Sequence, residues 1–372
     1  MIRLYPRLNY HFKTINLLTC WWNYSHSTVR FKKKLEDYFQ RDRVCLTSSA
    51  STGIYKVLRA LKPGVKVGVQ PLTCPSVLKA IVEAGATIEF LDINEQLQLS
   101  IDAVVEKKEH LDVLILTHLF GIPLDVAGFR AIVGTETLII EDCAHAFMTK
   151  WENQPVGKQG DFSCFSFGRA KFPSSLGGGA VIVNNPAYKG RIEADKPMLF
   201  SKELLVWSSA ILLKIIHLPL FYAVLGVRLK NHKSKKSDYT TGISRVSISY
   251  LMSIWHLKDA MLNRQLFNWN CVANAIETAN SLTVCSRTST TNGFLVAALA
   301  ENRERIITEF RNEGIEIGKH FVATFDKLPF YGYVPGECPV YERINQQLLT
   351  FPSHYQYPAS SIRKIISVLS HL

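Results

Sequence analysis

Between Val44 and Asn184 the chain alternates two hydrophobic periods. Short β-rich runs recur at VCLTS (44–48), KVGVQP (66–71), ATIEFLDI (86–93), DVLILTHL (112–119), TLIIED (137–142) and AVIVNN (180–185). Helix-period stretches such as STGIYKVLRALK (51–62) and PSVLKAIVEAG (75–85) lie between several of them. Near-continuous apolar strands must be covered on both faces. The pattern therefore predicts an α/β fold with a mainly parallel central sheet covered by helices. Ligands reach such sheets at the carboxyl ends of the strands, so the chemistry is sought there.

The chain has 372 residues, enough for a large domain and an appendage. After Ile243 it reads as helical through SYLMSIWHLKDAMLNRQLFNWNCVANAIETANSL. A mixed pattern follows from about Asn292, and IRKIISVLSHL closes it as an amphipathic helix. The expected division is a large domain over 1–255, and a linking helix with a smaller C-terminal α+β domain over 256–372. The large domain would carry an insertion at about 197–240.

That insertion breaks the alternating rhythm. Residues 203–229 are very apolar, but Glu203, Lys214, His217 and Pro219 interrupt them. A spanning helix needs about 20 mostly apolar residues, more than any uncharged piece here supplies. Arg228, Lys230, Lys233, Lys235 and Lys236 follow. Two readings stand for 203–236: attachment to an anionic membrane surface, or a helical hairpin buried in the protein or at a subunit interface.

The formal net charge of +12 suits an anionic partner such as a phosphorylated small molecule or an acidic membrane. No groove-reading motif accompanies it, so a nucleic-acid partner is not expected. The eight cysteines form no C-x-x-C pair and no zinc spacing, which predicts free thiols and no metal. The first residues lack a continuous apolar segment with a cleavage site. A cytoplasmic protein is expected.

Three strand ends carry candidate chemistry. In LTSSASTGIYKVL a strand runs into a helix through small hydroxyl-rich residues. The free N–H groups there make an anion site, although serine N-capping explains the same residues. TLIIEDCAHAF ends an apolar strand in Glu141 and Asp142, with His145 after them. A carboxylate there is costly unless paired. In FSFGRAKFPSSLGGGAVIVNN, Ser166 and Lys171 precede three glycines. Alone, Lys171 reads as a surface charge. In a pocket it would be an amine of depressed pKa able to attack a carbonyl. An anion site, an acid at a strand end and a lysine before a glycine turn together make the set of groups that pyridoxal 5'-phosphate needs.

The order of these segments resembles the DegT-type sugar aminotransferases, of the aspartate aminotransferase fold type I. SSASTGIYKVLRAL is similar to that family's SSGTAAL-x-x-ALRAL. PLTCPSVLKAIVEAGATIEFLDI resembles its proline–threonine turn followed by A-I-x-x-x-G-A. LTHLFGIPLDV resembles HLYGQPADM, and the stretch from IIEDCAHAF to LGGGAVIVNN resembles VIEDAAQA through CFSF-x-x-x-K to GDGGA. More weakly, NEGIEIGKHF and CPVYERINQQLLTFPSH are similar to GI-x-x-x-x-HY and to a CP…LLSLP-x-H tail.

The resemblance implies the following roles. Lys171 would bond to the cofactor and carry the proton as general base and acid. Asp142 would pair with the pyridine nitrogen, and His145 would lie near the phenolic oxygen. Ala50, Ser51 and Ser166 would hold the phosphate. It also implies transfer of an amino group, with glutamate as expected donor, to a nucleotide-linked keto-sugar, by a homodimer with shared sites. Two positions depart from the family. Cys74 stands where an aromatic residue stacks on the cofactor. Gly242-Ile243-Ser244-Arg245 stands where the partner subunit lends an asparagine, leaving Ser244 or Arg245 as substitutes. Two alternatives remain: a sugar dehydratase, against which Lys171 argues because those relatives carry histidine there, and a non-catalytic protein that binds a membrane or partner.

Overall fold

A computed structural model describes residues 4–7, 12–22, 24–216, 218, 239 and 241–372. The chain enters through α1 (Thr14–Thr19) and α2 (Ser27–Phe39). The alternating stretch then builds β1 (Val44–Thr47), α3 (Ala50–Arg59), β2 (Lys66–Val69), α4 (Pro75–Glu83), β3 (Thr87–Phe90), α5 (Ile101–Lys107), β4 (Val113–Thr117), α6 (Val126–Val133) and β5 (Leu138–Asp142). A short hairpin, β6 (Lys150–Trp151) and β7 (Gln154–Pro155), precedes β8 (Phe162–Ser166) and β9 (Gly179–Val183). The helices start where the sequence offers caps. The side chains of Ser49, Ser100 and Asp125 accept the N–H groups of Thr52, Ala103 and Gly128, and Pro75 opens α4.

Seven strands form one sheet in the order β1-β9-β8-β5-β4-β2-β3. From β8 to β3 all neighbours are parallel, while β9 runs antiparallel to both β8 and β1. β8 was not among the runs expected as strands. FSCFS alternates serine and cysteine with phenylalanine and lacks the aliphatic run that marks the others.

Period-two alternation sorts each strand between two layers. In β9, Val181 and Val183 join Ile54 and Val57 of α3, whereas Ala180 and Ile182 join Phe31 and Leu35 of α2. Each such buried Val, Ile, Leu or Phe side chain contributes about 1.5–3 kcal/mol.

Beyond the sheet come α7 (Phe200–Ile216), α8 (Arg245–Ile254) and α9 (Lys258–Glu277). The chain closes with β10 (Thr283–Val284), β11 (Leu295–Leu299), α10 (Arg303–Asn312), α11 (Pro339–Gln347), β12 (Leu348–Pro352) and α12 (Ala359–Leu369). β10, β11 and β12 form a small antiparallel sheet. Its Val296 and Leu349 pack with Trp269 of α9, Phe310 of α10 and Ile365 of α12 in a core of their own.

Within the apolar run at 203–229, α7 ends at Ile216. Among the described residues no helix is long and apolar enough to cross a membrane. The remainder of that run, apart from Leu218, lies outside the described residues, as do Arg228, Lys230, Lys233, Lys235 and Lys236. All eight cysteines are free.

Candidate active site

The carboxyl ends of the parallel strands open on one cavity. Ala50, Ser51, Cys74, Asp142, His145, Ser166 and Lys171, the seven residues singled out in the sequence, all line it. Ser49, Thr73, Thr117, Ala144 and Phe321 complete much of its wall.

Why Asp142 and not Glu141 faces this cavity follows from the pleat. Asp142 shares a face of β5 with Ile140, which packs in the core of α3 and α4. Glu141 shares the other face with Ile139, which packs with Val126 and Phe129 of α6. Glu141 is fully enclosed and accepts the N–H groups of Gly157 at 2.7 Å, Gln159 at 2.9 Å and Gly160 at 2.6 Å. His118 Nε2 stands 3.0 Å from its Oε2. Burial pushes Glu141 up, but His118 and the Gly160 and Gly157 N–H groups outweigh it and hold the carboxyl below its usual range. Cys143 lies close enough to make a possible metal triad with His118 and Glu141. Yet His118 Nδ1 already accepts from Leu124 N at 3.0 Å, so both its nitrogens are engaged and the cluster is a structural tie.

Asp142 is satisfied far less. Its Oδ1 accepts from Ala144 N at 3.0 Å, and burial raises its carboxyl above the usual range. The Ala144 N–H and the charge of Lys171 oppose that shift without cancelling it. Lys171 is half-buried on the cavity wall, and desolvation there lowers its amine below the ordinary lysine range despite Cys74 and Asp142. Its Nζ sits over the Phe294 ring, 5.5 Å from the centroid. The preceding Ala170 adopts φ of 61°, a left-handed conformation held by its N–H on Ser174 Oγ at 3.1 Å. That kink aims Lys171.

His145 is held neutral. Burial, Lys171 and His320 push its imidazole well below the usual range. Its Nδ1 accepts from Phe120 N at 3.3 Å, which leaves the hydrogen on Nε2. Its ring stacks on Phe294 with centroids 4.4 Å apart. Asn292 fastens this turn to the C-terminal layer by donating from Nδ2 to His145 O and Phe147 O, both at 2.9 Å.

The anion end is the start of α3. Ser49 performs the capping, accepting from Thr52 N at 3.1 Å, and leaves Ala50 and Ser51 on the cavity wall. Across from it, β9 begins at Gly179. A Cβ there would stand 2.5 Å from Ser49 C and 2.8 Å from Ala50 N, so only glycine lets the strand pass this close.

Ser244 and Arg245, the residues that stand where the family's partner subunit lends an asparagine, are engaged within their own chain. Ser244 caps α8 by accepting from Ser247 N at 3.1 Å and donates to Glu203 Oε2 at 2.7 Å. Arg245 donates its N–H to Glu203 at 2.7 Å and stacks its guanidinium on Tyr24, 4.2 Å from the centroid. The cavity also draws on residues not singled out in the sequence: Phe294 and Asn292 beside His145, Phe321 in the wall, and Thr117 beside Asp142 across the β4–β5 pair. Only the pairing of Thr117 and Asp142 as the last residues of neighbouring strands left a signal in the sequence.

Comparison with known proteins gives a consistent result. Residues 14–370 match the model of the DegT/DnrJ/EryC1/StrS aminotransferase family. Over 145 residues the chain is 32% identical to the UDP-N-acetyl-3-dehydro-alpha-D-glucosamine 3-aminotransferase of Acidithiobacillus ferrooxidans, covering 38% of this chain and 39% of that protein. The chain thus spans well under half the length of this relative. AtS13 from Actinomadura melliaura superposes with a TM-score of 0.79 at 16% identity, covering 100% of this chain and 99% of the other. The E. coli GDP-4-keto-6-deoxy-D-mannose-3-dehydratase superposes with 0.76 at 14% identity, covering 99% and 100%. The fold is therefore common to both, and the reaction has to be argued from the site.

Proposed function

The chain belongs to the DegT/DnrJ/EryC1/StrS aminotransferase family, and from that premise we propose that it is a pyridoxal-phosphate-dependent aminotransferase. Its substrates would be an amino acid, with glutamate as donor, and a nucleotide-linked keto-sugar. The observation that carries this reading is the meeting of Lys171, Asp142 and the start of α3 in one cavity.

The residues present fit the cofactor. Thr73 Oγ1 and Thr117 Oγ1 are buried on the cavity wall without a hydrogen-bond partner among the described residues, which marks the space as one made for a polar occupant. Ala50, Ser51 and Ser166 would hold a phosphate at the positive end of α3. Asp142, with one N–H bond and a raised pKa, would be relieved by a protonated ring nitrogen beside it. When bound there, the cofactor supplies a carbonyl that takes up the amino group and a ring that withdraws electrons.

The protein's own groups do the rest. Burial keeps a larger fraction of Lys171 unprotonated at neutral pH, so its Nζ can attack and later move a proton. His145 offers Nε2–H as a neutral donor. The excess positive charge suits a diphosphate-bearing substrate. Cys74 gives less stacking area than an aromatic residue, so the ring would be held more by its ends than by its face.

We place the enzyme in the cytoplasm as a homodimer, a reading supported by the eight free thiols and by the family resemblance.

The visible spectrum with added pyridoxal phosphate tests the reading. The protein should show an absorption band that borohydride fixes irreversibly, and Lys171→Ala should lack it. Glutamate should then bleach the band, and a UDP- or GDP-linked keto-sugar should restore it with an amino-sugar as product. A sugar that loses a hydroxyl and gains no nitrogen would assign a dehydratase. No band at saturating cofactor would favour the non-catalytic reading.

A further inference from the structure

A surface helix ordinarily turns charges outward and leucines inward. α7 departs from this along one side. Its Glu203 and Ala210 are buried, while Leu204, Leu205, Leu212 and Ile215 are exposed. At 3.6 residues per turn these four fall on one side, together with Ser201 and Ser208.

α1 lies against α7. Trp207 Nε1 donates to Leu17 O at 2.8 Å, and Trp21 meets Trp207 edge-on with centroids 6.2 Å apart. α1 also has an apolar outer side. Ile15 and Leu18 are exposed, and Trp22, just past its end, is 83% exposed. Two packed helices therefore turn apolar side chains outward, against the usual rule for a water-facing surface.

The charged residues of these two segments are lysines but for one acid. Residues 12–22 carry Lys13 alone, and residues 196–216 carry Lys196, Lys202, Lys214 and Glu203. Lys13, Lys196 and Lys202 are exposed, and half-buried Lys214 bonds Thr14 of α1. The single acid is fully buried, its oxygens taken by Ser244, Arg245 and Val246.

We propose that α1 and α7 bind the surface of an anionic bilayer, their apolar sides at the acyl boundary and their lysines at the lipid phosphates. A second copy of the chain fits less well. A copy would bring more lysines and no accessible acid from these segments, whereas lipid phosphates neutralise them. Leucines beside tryptophan and lysine are the composition of a helix lying in an interface. The attachment is peripheral, since no described helix is long and apolar enough to cross. None of these residues lines the cavity, so the proposal stands independently of the reaction.

Sedimentation of the full-length protein with vesicles tests it, using phosphatidylcholine alone and phosphatidylcholine mixed with phosphatidylglycerol. The protein should pellet with the anionic vesicles at low salt and less as salt rises. The double variant Leu205→Glu/Leu212→Glu should stay in solution at unchanged oligomeric size. Lys13→Glu/Lys202→Glu should lower partitioning by about fivefold or more per lysine. This second variant keeps the apolar side chains and carries the test if the first fails to fold. A parent that ignores anionic vesicles, or a leucine variant that still pellets, overturns the proposal. A leucine variant that changes oligomeric size while binding vesicles as before would assign the surface to contact between copies.

Discussion

The molecule buries carboxylates in two places, with opposite consequences. On the α7 side, Glu203 has three hydrogen-bond partners among the described residues: Ser244 Oγ, Arg245 N and Val246 N. At the carboxyl end of β5, in the middle of the sheet, Glu141 has four among the described residues: three N–H groups and His118. Asp142, its neighbour in sequence, has one such bond and opens on the cavity. A buried acid whose lone pairs are all engaged ties segments together. A buried acid with capacity left over is held in readiness for a ligand. The comparison separates structure from chemistry without reference to residue type, because Glu141 and Asp142 are adjacent carboxylates on one strand.

Breaking the fuller tie should cost most. Glu141→Ala leaves three N–H groups and His118 without an acceptor, and it should lower unfolding free energy by about 3–5 kcal/mol in urea titrations. Glu203→Ala removes the acceptor that joins α7 to the start of α8, and about 2–3 kcal/mol should be lost in the same titration. A loss below that of an ordinary surface substitution at either position would contradict the assignment.

Asp142→Asn should behave otherwise, with no loss of stability in the cofactor-free protein and a loss of aminotransferase activity of about a hundredfold or more. The two strand-end acids should also differ in pH dependence. Glu141 has a folded pKa below its unfolded value, so its stabilisation is present above that value and disappears as pH falls through the folded pKa. Asp142 has a folded pKa above its unfolded value, so stability falls as pH rises from the unfolded to the folded pKa. Relative to the parent, Asp142→Asn should therefore gain a little stability at neutral pH and lose that gain in acid. Glu141→Gln should lose stability at neutral pH and recover it in acid. Thermal melts over the acid-to-neutral range would show both, and matching profiles would erase the distinction.

Much of this was open to reading in the chain itself. The strand at 137–142 announced an acid at its end, and Lys171 stood out before its glycines. The alternation of runs identified a largely parallel sheet. β8 was missed because serine and cysteine dilute its hydrophobic period. The outward side of α7 was obscured because an apolar run reads alike whether buried, paired or lipid-facing. α1 was missed because six residues are too few for a periodic signal.

What the sequence determined by itself is local: where strands and helices start, which residues can cap, and where glycine permits a close approach. These follow from backbone sterics and from side-chain spacing along one element. What only the tertiary structure decided is which of two adjacent acids looks into the cavity, that Ser244 and Arg245 serve Glu203, and that Phe294, Phe321 and Asn292 stand beside His145. Those outcomes depend on contacts between segments distant in sequence. A side chain's protonation, partners and exposure are set by whatever the fold brings against it, and no single stretch of chain carries that information.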